Sequence, residues 1–321
     1  MKIKRIGIVG FGSIAKKHAN VIHQIDKDIK IIKISRNKKK KTLNLRDAIL
    51  LGIDGIIICS PANSHLDYIK ILIKKKIPFI VEKPICKYNQ IKYLKKILRK
   101  FKKNITSLLG YQFRYDNILI KFKKLLDENK IGVVYDVKIY CNSYLPKWRK
   151  INFRKSVSVS KSKGGGVLHE LSHEIDYMIW FFGLPKTVFA SFTLNKTLTK
   201  NVEENVSLFF ISKKNINIYM NLGFNCSYEK RYCLVNGSKG SLYLDLINKK
   251  IKIKKINTIK EKIIFESQSN NETNLLKQMI VFFQSITKKK NINNLSNGMS
   301  VSKVINCIHK SNISKKLINI K

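Results

Sequence analysis

Short apolar runs alternate with longer amphipathic stretches through the first third of the chain. Five runs rich in isoleucine, valine and leucine have the length of buried strands: residues 3–9, 29–34, 54–59, 78–81 and 105–110. Helical patterns lie between them, over about residues 13–25, 64–75 and 88–102. This alternation of strand and helix predicts an α/β architecture, a doubly wound parallel sheet with helices on both faces.

The pattern changes after Arg114. Hydrophobic residues alternate with polar ones between residues 187 and 265, which predicts several antiparallel strands. Further helices are predicted before and after this part of the chain, over about residues 116–129, 164–182, 271–288 and 298–310. We therefore expect two domains, residues 1–115 and residues 116–321. The second is expected to be an α+β domain with a large open, mostly antiparallel sheet.

The first predicted strand ends in a glycine-rich turn. The residues that follow it fit the pattern G-x-G-x-x-A: Gly10, Phe11, Gly12, Ser13, Ile14 and Ala15. The first glycine permits a tight turn, the second lets a pyrophosphate approach the backbone, and the N-terminus of the next helix faces the phosphates. An ordinary strand-to-helix turn can have the same spacing. Because this turn opens an alternating β/α series, we interpret residues 1–115 as a dinucleotide-binding Rossmann domain.

The end of the second strand indicates which dinucleotide is bound. An acidic residue there would bond the ribose 2′-hydroxyl of NAD. The strand ends instead in Ser35 and Arg36, a hydroxyl and a guanidinium that suit a 2′-phosphate. The sequence therefore favours NADP over NAD, although Arg36 is also one more arginine in a basic chain.

The chain is strongly basic, with 64 Lys and Arg against 20 Asp and Glu and a formal net charge of +44. Such a charge can indicate a partner that is a polyanion. Lysine, isoleucine and asparagine are all overused, however, and their codons are rich in A and T. The lysines are also spread through every segment, whereas nucleic-acid-binding proteins tend to concentrate charge. We therefore attribute the charge to compositional drift and expect no specific nucleic-acid partner.

The composition also bears on location. No stretch approaches the roughly 18 to 20 apolar residues that span a bilayer, and no signal peptide is recognised, so no membrane association is expected. The six cysteines are scattered and form no C-x-x-C pair. They are typical of reduced thiols in a cytoplasmic protein, and no metal site is expected.

Three further motifs carry a family resemblance. Cys-Ser-Pro-Ala-Asn-Ser-His at 59–65 follows the third strand, Glu-Lys-Pro at 82–84 follows the fourth, and the run at 164–176 contains Gly-Gly-Gly and Ser-His-Glu-Ile-Asp. With the glycine loop, they resemble the glucose–fructose oxidoreductase / inositol dehydrogenase / MocA family of nicotinamide-dependent sugar dehydrogenases, over essentially the whole chain. The resemblance implies a Rossmann domain followed by an α+β domain with a large open sheet.

The resemblance also implies an activity and partners. The activity is hydride transfer between NAD(P) and a hydroxyl or carbonyl of a sugar, inositol or nucleotide sugar. Residues 144–149 are similar to a branch found among genes for bacterial surface glycans, which points to sugar biosynthesis. The open sheet implies a homo-oligomer, a dimer or a tetramer. The alternative is a catalytically inactive protein on the same fold that senses nucleotides or binds polyanions.

The same resemblance assigns roles to single residues. Lys83 is implied to lie beside the nicotinamide and the substrate hydroxyl, and His173 to act as acid and base. Many family members have an aspartate four residues before this histidine. Here that position is His169, and Glu170 lies three before, so either residue can be the partner of His173.

Two sets of side chains are expected around the reacting groups. The residues expected at the cofactor are Gly10, Phe11, Gly12, Ser13, Ile14, Ser35, Arg36, Ser60, Pro61, Asn63, His65, Glu82, Lys83 and Gln112. Those expected at the substrate are Lys83, Arg114, Trp148, Arg149, His169, His173 and Asp176.

The chemistry explains why these residue types are needed. Removal of a hydride from a carbinol requires a base that takes the hydroxyl proton, and a histidine serves. A lysine can stabilise the developing alkoxide, and a carboxylate can orient the imidazole. Lys83, His173 and Glu170 supply this set, and a catalytically inactive relative would be free to lose it.

Overall fold

The computed structural model describes residues 2–36, 41–100, 105–148, 152–193, 197–199 and 201–321. The chain divides into two compact units. The first consists of Met1–Tyr115 and Asn270–Ser302, and the second of Asp116–Ser269 and Lys303–Lys321. Each unit contains one β-sheet.

The sheet of the first unit is parallel and has five strands. These are β1 (Arg5–Val9), β2 (Lys30–Ile34), β3 (Gly55–Ile58), β4 (Phe79–Val81) and β5 (Ser107–Leu109), in the spatial order β2-β1-β3-β4-β5. Helices between them are α1 (Ser13–Ile25), α2 (Leu45–Leu50), α3 (His65–Lys74) and α4 (Ile91–Lys100). Every residue of β3, β4 and β5 is buried, as a parallel sheet covered on both faces requires.

The second unit opens with α5 (Asn117–Asp127) and contains a nine-stranded sheet. Its central strand is β6 (Val134–Tyr144), and two helices, α6 (Val167–Glu170) and α7 (Ser172–Phe182), come before the next strand. The remaining long strands are β7 (Thr187–Phe192), β8 (Asn205–Ile211), β9 (Asn217–Gly223), β10 (Asn225–Gly237), β11 (Gly240–Asp245), β12 (Lys250–Lys255) and β13 (Lys262–Glu266). Neighbouring strands are antiparallel except β6 and β9, which are parallel.

Alternation of side chains gives this sheet two unlike faces. Val137, Ile139, Ile218 and Met220 are buried on one face. The other face carries half-buried and exposed aromatic rings in contact. The pairs are Tyr140–Tyr232, Tyr232–Tyr243 and Phe209–Tyr219, with centroid separations of 5.5, 5.4 and 5.1 Å. We call this second surface the aromatic face.

The end of the chain contributes to both units. It forms α8 (Asn271–Thr287), α9 (Leu295–Ser314) and the short strand β14 (Ile318–Asn319), which pairs with β7. Helix α8 packs against α1 in the first unit, where Leu275, Met279 and Phe282 join the core beside Ile6 and Ile8. Residues 270–302 thus lie in the first unit, whereas the sequence prediction placed all of 116–321 in the second. The apolar stripe of a helix shows that it packs on something, but not on which sheet.

Other details of the helices also differ from the prediction. Helix α2 was not expected; Asn44 caps it by accepting a hydrogen bond from the N–H of Asp47 at 2.9 Å. Helix α9 begins at Leu295 rather than near residue 298. Over the described part of the chain, no helix combines the length and hydropathy that crossing a membrane requires.

Candidate cofactor and catalytic site

The parallel strands of the first unit end level with one another. Val9 of β1 pairs with Ile34 of β2 and with Ile58 of β3, and Val81 of β4 pairs with Ile58 and with Leu109 of β5. The loops after these strands therefore emerge at one edge of the sheet, where open α/β sheets bind their ligands. The predicted site residues that leave at this edge are Gly10, Ser35, Ser60, Lys83 and Gln112.

The two glycines of the first loop have different surroundings. Gly10 has a φ of 91°, and a Cβ added there would lie 2.8 Å from the carbonyl oxygen of Cys59, so the protein itself requires glycine. Gly12 has an ordinary φ of −72°, and an added Cβ would meet no atom of the described residues within 4 Å. Packing within the chain therefore does not require glycine at residue 12, and the space in front of it is open to a ligand.

Helix α1 begins directly after Gly12. No side chain of the described residues caps its first N–H groups, and its first turn holds no acidic residue. Such a helix end favours an anion through its N–H groups and its dipole. Phe11 and Ser13 are exposed beside it, and Ile14 is half-buried. The loop therefore fits the pyrophosphate of a dinucleotide, which would occupy the space that a Cβ at residue 12 would fill.

The residues after β2 carry the predicted contact to a 2′-phosphate. Ser35 is half-buried and Arg36 is exposed. The guanidinium of Arg36 donates from Nη2 to Oδ2 of Asp67 at 2.6 Å and lies 5.3 Å from the ring centroid of Tyr68. Asp67 and Tyr68 both belong to the first turn of α3. The arginine expected to bind phosphate is therefore held by a carboxylate that competes with phosphate for it.

The loop after β3 is fixed by hydrogen bonds. The hydroxyl oxygens of Ser60 and Ser64 lie 2.7 Å apart, and Pro61 and Asn63 are exposed. His65 is 1% exposed, and its Nε2 and Nδ1 lie 2.6 and 3.0 Å from the carbonyl oxygens of Ser60 and Pro84. Burial lowers the pKa of His65, while these carbonyls and Glu82 act to raise it. The imidazole expected at the cofactor thus lies beneath the loop.

The Glu-Lys-Pro motif follows β4. One carboxylate oxygen of Glu82 accepts a hydrogen bond from the Nε2–H of His18 at 2.7 Å. The other packs against Gly110, where an added Cβ would lie 2.6 Å from it. The carboxylate of Glu82, expected at the cofactor, is therefore turned toward α1 and β5. Lys83 is half-buried between Glu82 and Pro84.

The edge of the sheet is completed by a single turn after β5. Gln112 and Arg114 lie in this 3-10 turn, Gln112–Tyr115, and both are half-buried. The strand end is held by Gln278 of α8, whose Nε2 donates to the carbonyl oxygen of Leu109 at 2.8 Å. A residue from near the end of the chain thus fixes the position from which Gln112 and Arg114 extend.

The predicted catalytic residues of the second unit lie at an interrupted helix rather than on one continuous helix. Helix α6 ends at Glu170, Leu171 has φ −95° and ψ 26°, and α7 begins at Ser172. These dihedrals depart from those of an α-helix. Leu171 therefore interrupts the regular helical spacing between His169 or Glu170 and His173. All three side chains are half-buried.

The glycine run before this helix pair is explained by packing. The N–H groups of Val167 and Leu168 donate to the backbone oxygen and a carboxylate oxygen of Glu203, at 3.1 and 3.2 Å. Gly166 has a φ of 110°, and an added Cβ there would collide with the same carboxylate. Gly166 thus lets Glu203 approach the N-terminus of α6.

Helix α7 is anchored by a buried ion pair. Glu174 is fully buried and accepts a hydrogen bond from Nε of Arg231 on β10 at 2.7 Å. Two residues further along α7, Asp176 is 1% exposed. Burial, together with the charge of Glu174, raises the pKa of the nearby Tyr177 hydroxyl well above its usual value. The ion pair therefore holds the first turn of α7, which carries His173.

Of the two neighbouring residues expected at the substrate, Trp148 and Arg149, only Trp148 lies among the described residues. The indole Nε1 of Trp148 donates to Oγ of Ser143 at 2.8 Å, and its ring meets Phe224 edge-on at 5.2 Å. This tryptophan is therefore anchored on the second unit. Arg149 lies outside the described residues.

The residues of the site that the sequence analysis missed include His18, Glu174 and Glu203. A signal existed for His18, because it shares the apolar face of α1 with Ala15, Val21 and Ile22. A polar residue in such a position needs a buried partner. The positions of Glu174 and Glu203 gave no comparable signal, since their partners come from distant segments.

Comparisons with known proteins extend this picture. Residues 4–108 match the oxidoreductase family model with an NAD-binding Rossmann fold, and residues 119–243 match the GFO/IDH/MocA C-terminal domain. The two matches together span more than half of the chain. The chain belongs to the GFO/IDH/MocA family of oxidoreductases. The predicted family is thereby confirmed, and so is the expectation of a nicotinamide-dependent oxidoreductase.

Relatives and solved structures agree with this assignment. Oxidoreductase P35 of Formosa agariphila is 22% identical over 297 residues, which span 86% of this chain and 90% of that protein. A levoglucosan dehydrogenase solved with NADH superposes with a TM-score of 0.85 at 14% identity, covering both chains completely. The scyllo-inositol dehydrogenase of Lactobacillus casei, solved with NAD(H) and scyllo-inositol, gives 0.80 at 20% identity over 99% of each chain. These likenesses confirm the predicted fold class.

Proposed function

We propose that this chain transfers a hydride between a nicotinamide dinucleotide and a hydroxyl or carbonyl group of a sugar, inositol or nucleotide sugar. The observation that carries the proposal is that Gly12, in front of which lies open space, and the half-buried Lys83 both follow strands that end at the same edge of the parallel sheet. The sugar dehydrogenases among the similar structures support the substrate class. A cytoplasmic role in surface-glycan sugar synthesis is the more specific form of the proposal, and the cysteine spacing and residues 144–149 support it.

The chain's own residues supply the proton chemistry in this proposal. When bound, the nicotinamide supplies the acceptor or donor of the hydride. His173 takes the hydroxyl proton during oxidation and returns it during reduction. The ammonium of Lys83 stabilises the developing negative charge on the substrate oxygen. Glu170 or His169 orients the imidazole of His173, and Arg114, Trp148, Arg149 and Asp176 are proposed to contact the substrate.

We propose NADP as the preferred dinucleotide. Support comes from the end of β2, where Ser35 and Arg36 stand in place of an acidic residue. Arg36 is paired with Asp67, and the two side chains are 56% and 62% exposed. An exposed ion pair of this kind is weak, whereas a guanidinium binds a phosphate through charge-assisted, often bidentate bonds. A 2′-phosphate can therefore displace Asp67, at the cost of repulsion from its carboxylate.

We also propose that the aromatic face of the second unit binds a second copy of the chain, as a dimer or a tetramer. Phe189 and Tyr219 on this face are 39% and 45% exposed, and aromatic side chains are enriched at protein interfaces. Light scattering that returns the mass of a single chain would exclude this assembly.

The roles of Lys83 and His173 are tested by substitution in the full chain. Nucleotide reduction is first screened over hydroxylated sugars and inositols with NAD and NADP. We expect Lys83→Ala and His173→Ala each to lower kcat by about 100-fold or more. A general acid–base group contributes about 10²–10⁴-fold, and a group that stabilises a developing oxyanion contributes about 10²–10³-fold. The dissociation constant of the reduced dinucleotide should change little.

Exposed residues nearby provide the matched controls. Lys87→Ala removes an exposed lysine from the loop that carries Lys83, and His23→Ala removes an exposed histidine from α1. Both variants should keep wild-type turnover. Full activity in Lys83→Ala and His173→Ala would exclude the proposed roles.

A further inference from the structure

Two buried histidines contact the residues on either side of Lys83. His18 of α1 contacts Glu82, and His65 of α3 contacts Pro84. We propose that His18 and His65 are positioning residues that fix the Glu-Lys-Pro backbone and thereby direct the ammonium of Lys83. This inference rests on the proposed function, since it assigns to Lys83 the catalytic role given above.

The contact with His18 holds the side chain of Glu82. His18 is fully buried, and its Nδ1 has no hydrogen-bond partner among the described residues. The Nε2–H of His18 donates to the Glu82 carboxylate at 2.7 Å. Hydrogen bonds to a charged acceptor are about twice as strong as neutral ones. Gly110 lies against the other side of the carboxylate, so Glu82 is in contact on both sides.

The contact of His65 joins two loops. Its ring lies between the carbonyl oxygens of Ser60, after β3, and Pro84, after β4, at 2.6 and 3.0 Å. Both oxygens can only accept, so the ring donates to at least one of them and fills the space toward the other. Because His65 is only 1% exposed, water cannot replace these contacts unless the loop opens. The position of Pro84 is therefore set by the loop after β3.

The two histidines contact residues that are only two positions apart in the chain. Lys83 stands between Glu82 and Pro84, and the backbone of Glu82 is held by its N–H bond to the carbonyl oxygen of Ile58 at 2.9 Å. With the residue before and the residue after it fixed, the Cα of Lys83 has little freedom. A catalytic group misplaced by a fraction of an ångström loses rate while the remote parts of the ligand still bind.

The experiment combines kinetics with amide hydrogen exchange. We expect His18→Ala and His65→Ala to lower kcat by about tenfold to 100-fold, as misplacement of catalytic groups by about 1 Å does. The dissociation constants of NADH and NADPH should stay near the wild-type values. The amides of Glu82, Lys83 and Ile85 should exchange faster, while the amide of Cys59, bonded to the carbonyl oxygen of Val9 at 2.8 Å, should not. His23→Ala on the same helix is the control.

Conservative variants keep the test decisive if an alanine variant does not fold. The side-chain amide of glutamine keeps an N–H donor. Relative to the alanine variants, His18→Gln and His65→Gln should therefore recover most of kcat and slow amide exchange at residues 82–85. The proposal is overturned if exchange at residues 82–85 is unchanged, or if nucleotide affinity falls in proportion to kcat. Absence of turnover in the wild-type chain would refute the proposed function instead, and the exchange data would still decide the positioning role.

Discussion

Gly12→Ala separates binding of the dinucleotide from stability of the fold. The backbone at residue 12 has φ −72°, which alanine adopts freely, and an added Cβ meets no described atom within 4 Å. Loss of glycine at a helix N-cap costs about 1 kcal/mol, and the reduced entropy of the unfolded chain offsets about 0.4–1 kcal/mol of that. We therefore expect Tm to fall by no more than about 2–4 °C.

The effect on binding should be much larger. The added methyl group projects into the space in front of α1, where the pyrophosphate must approach the backbone. We expect the dissociation constants of NADH and NADPH to rise at least about tenfold, equivalent to about 1.4 kcal/mol. Fluorescence titration of the purified chain measures binding, and thermal unfolding without nucleotide measures stability.

Gly10→Ala is the matched control. Its φ of 91° and the carbonyl oxygen of Cys59, 2.8 Å from the added Cβ, both oppose a side chain. The left-handed backbone alone costs about 1–2 kcal/mol for a residue other than glycine, so this variant should lose stability first. Wild-type affinity in a stable Gly12→Ala protein would show that the dinucleotide does not approach the loop, and the site would have to lie elsewhere.

Two further predictions concern charge. Asp67→Asn removes the carboxylate that competes for Arg36, so the affinity for NADPH should rise several-fold while that for NADH stays unchanged; equal changes for both nucleotides in titrations would contradict the proposed role of Arg36. Burial lowers the pKa of His65 and of His309, the latter also through the charge of Lys161, from the ordinary value of 6.5. The unfolded chain therefore binds more protons as pH falls through 6.5, and urea denaturation should show a free energy of unfolding that decreases below this pH. His309→Gln should flatten that decrease, and an unchanged pH dependence would exclude the contribution of His309.

Much of the fold could be predicted because its signals are local. The strands of the first unit are apolar runs that end in turn residues, and β3 (Gly55–Ile58) is buried throughout. The placement of α8 could not be predicted in this way. Its Phe282 packs on Gly55, where an added Cβ would lie 2.9 Å from the ring. Gly55 and Phe282 are far apart in the chain, and the hydrophobic pattern around either residue does not indicate that the two are in contact.

In the candidate site, too, the features with local sequence signals could be predicted and the others could not. Gly10, Ser60 and Lys83 could be located because each follows a predicted strand, and parallel strands bring their ends to one edge. The break at Leu171 was missed because residues 164–182 keep a helical pattern of hydrophobic positions across it. At the break, the N–H of Glu174 donates to the carbonyl oxygen of Leu171, three residues before it, at 3.2 Å. An α-helix would instead pair residues that are four apart.

Buried polar residues on apolar helix faces occur in each of the two units. Burying a polar group without a partner costs about 1–3 kcal/mol in proteins, and an unpaired charge costs far more. His18 on α1 and Glu174 on α7 occupy such positions, and each is paired, with Glu82 and Arg231 respectively. Each pair fixes the neighbour of a residue proposed for catalysis, since Glu82 precedes Lys83 and Glu174 follows His173. For His18 the sequence can therefore show that such a partner must exist, while for both residues only the fold shows which partner it is.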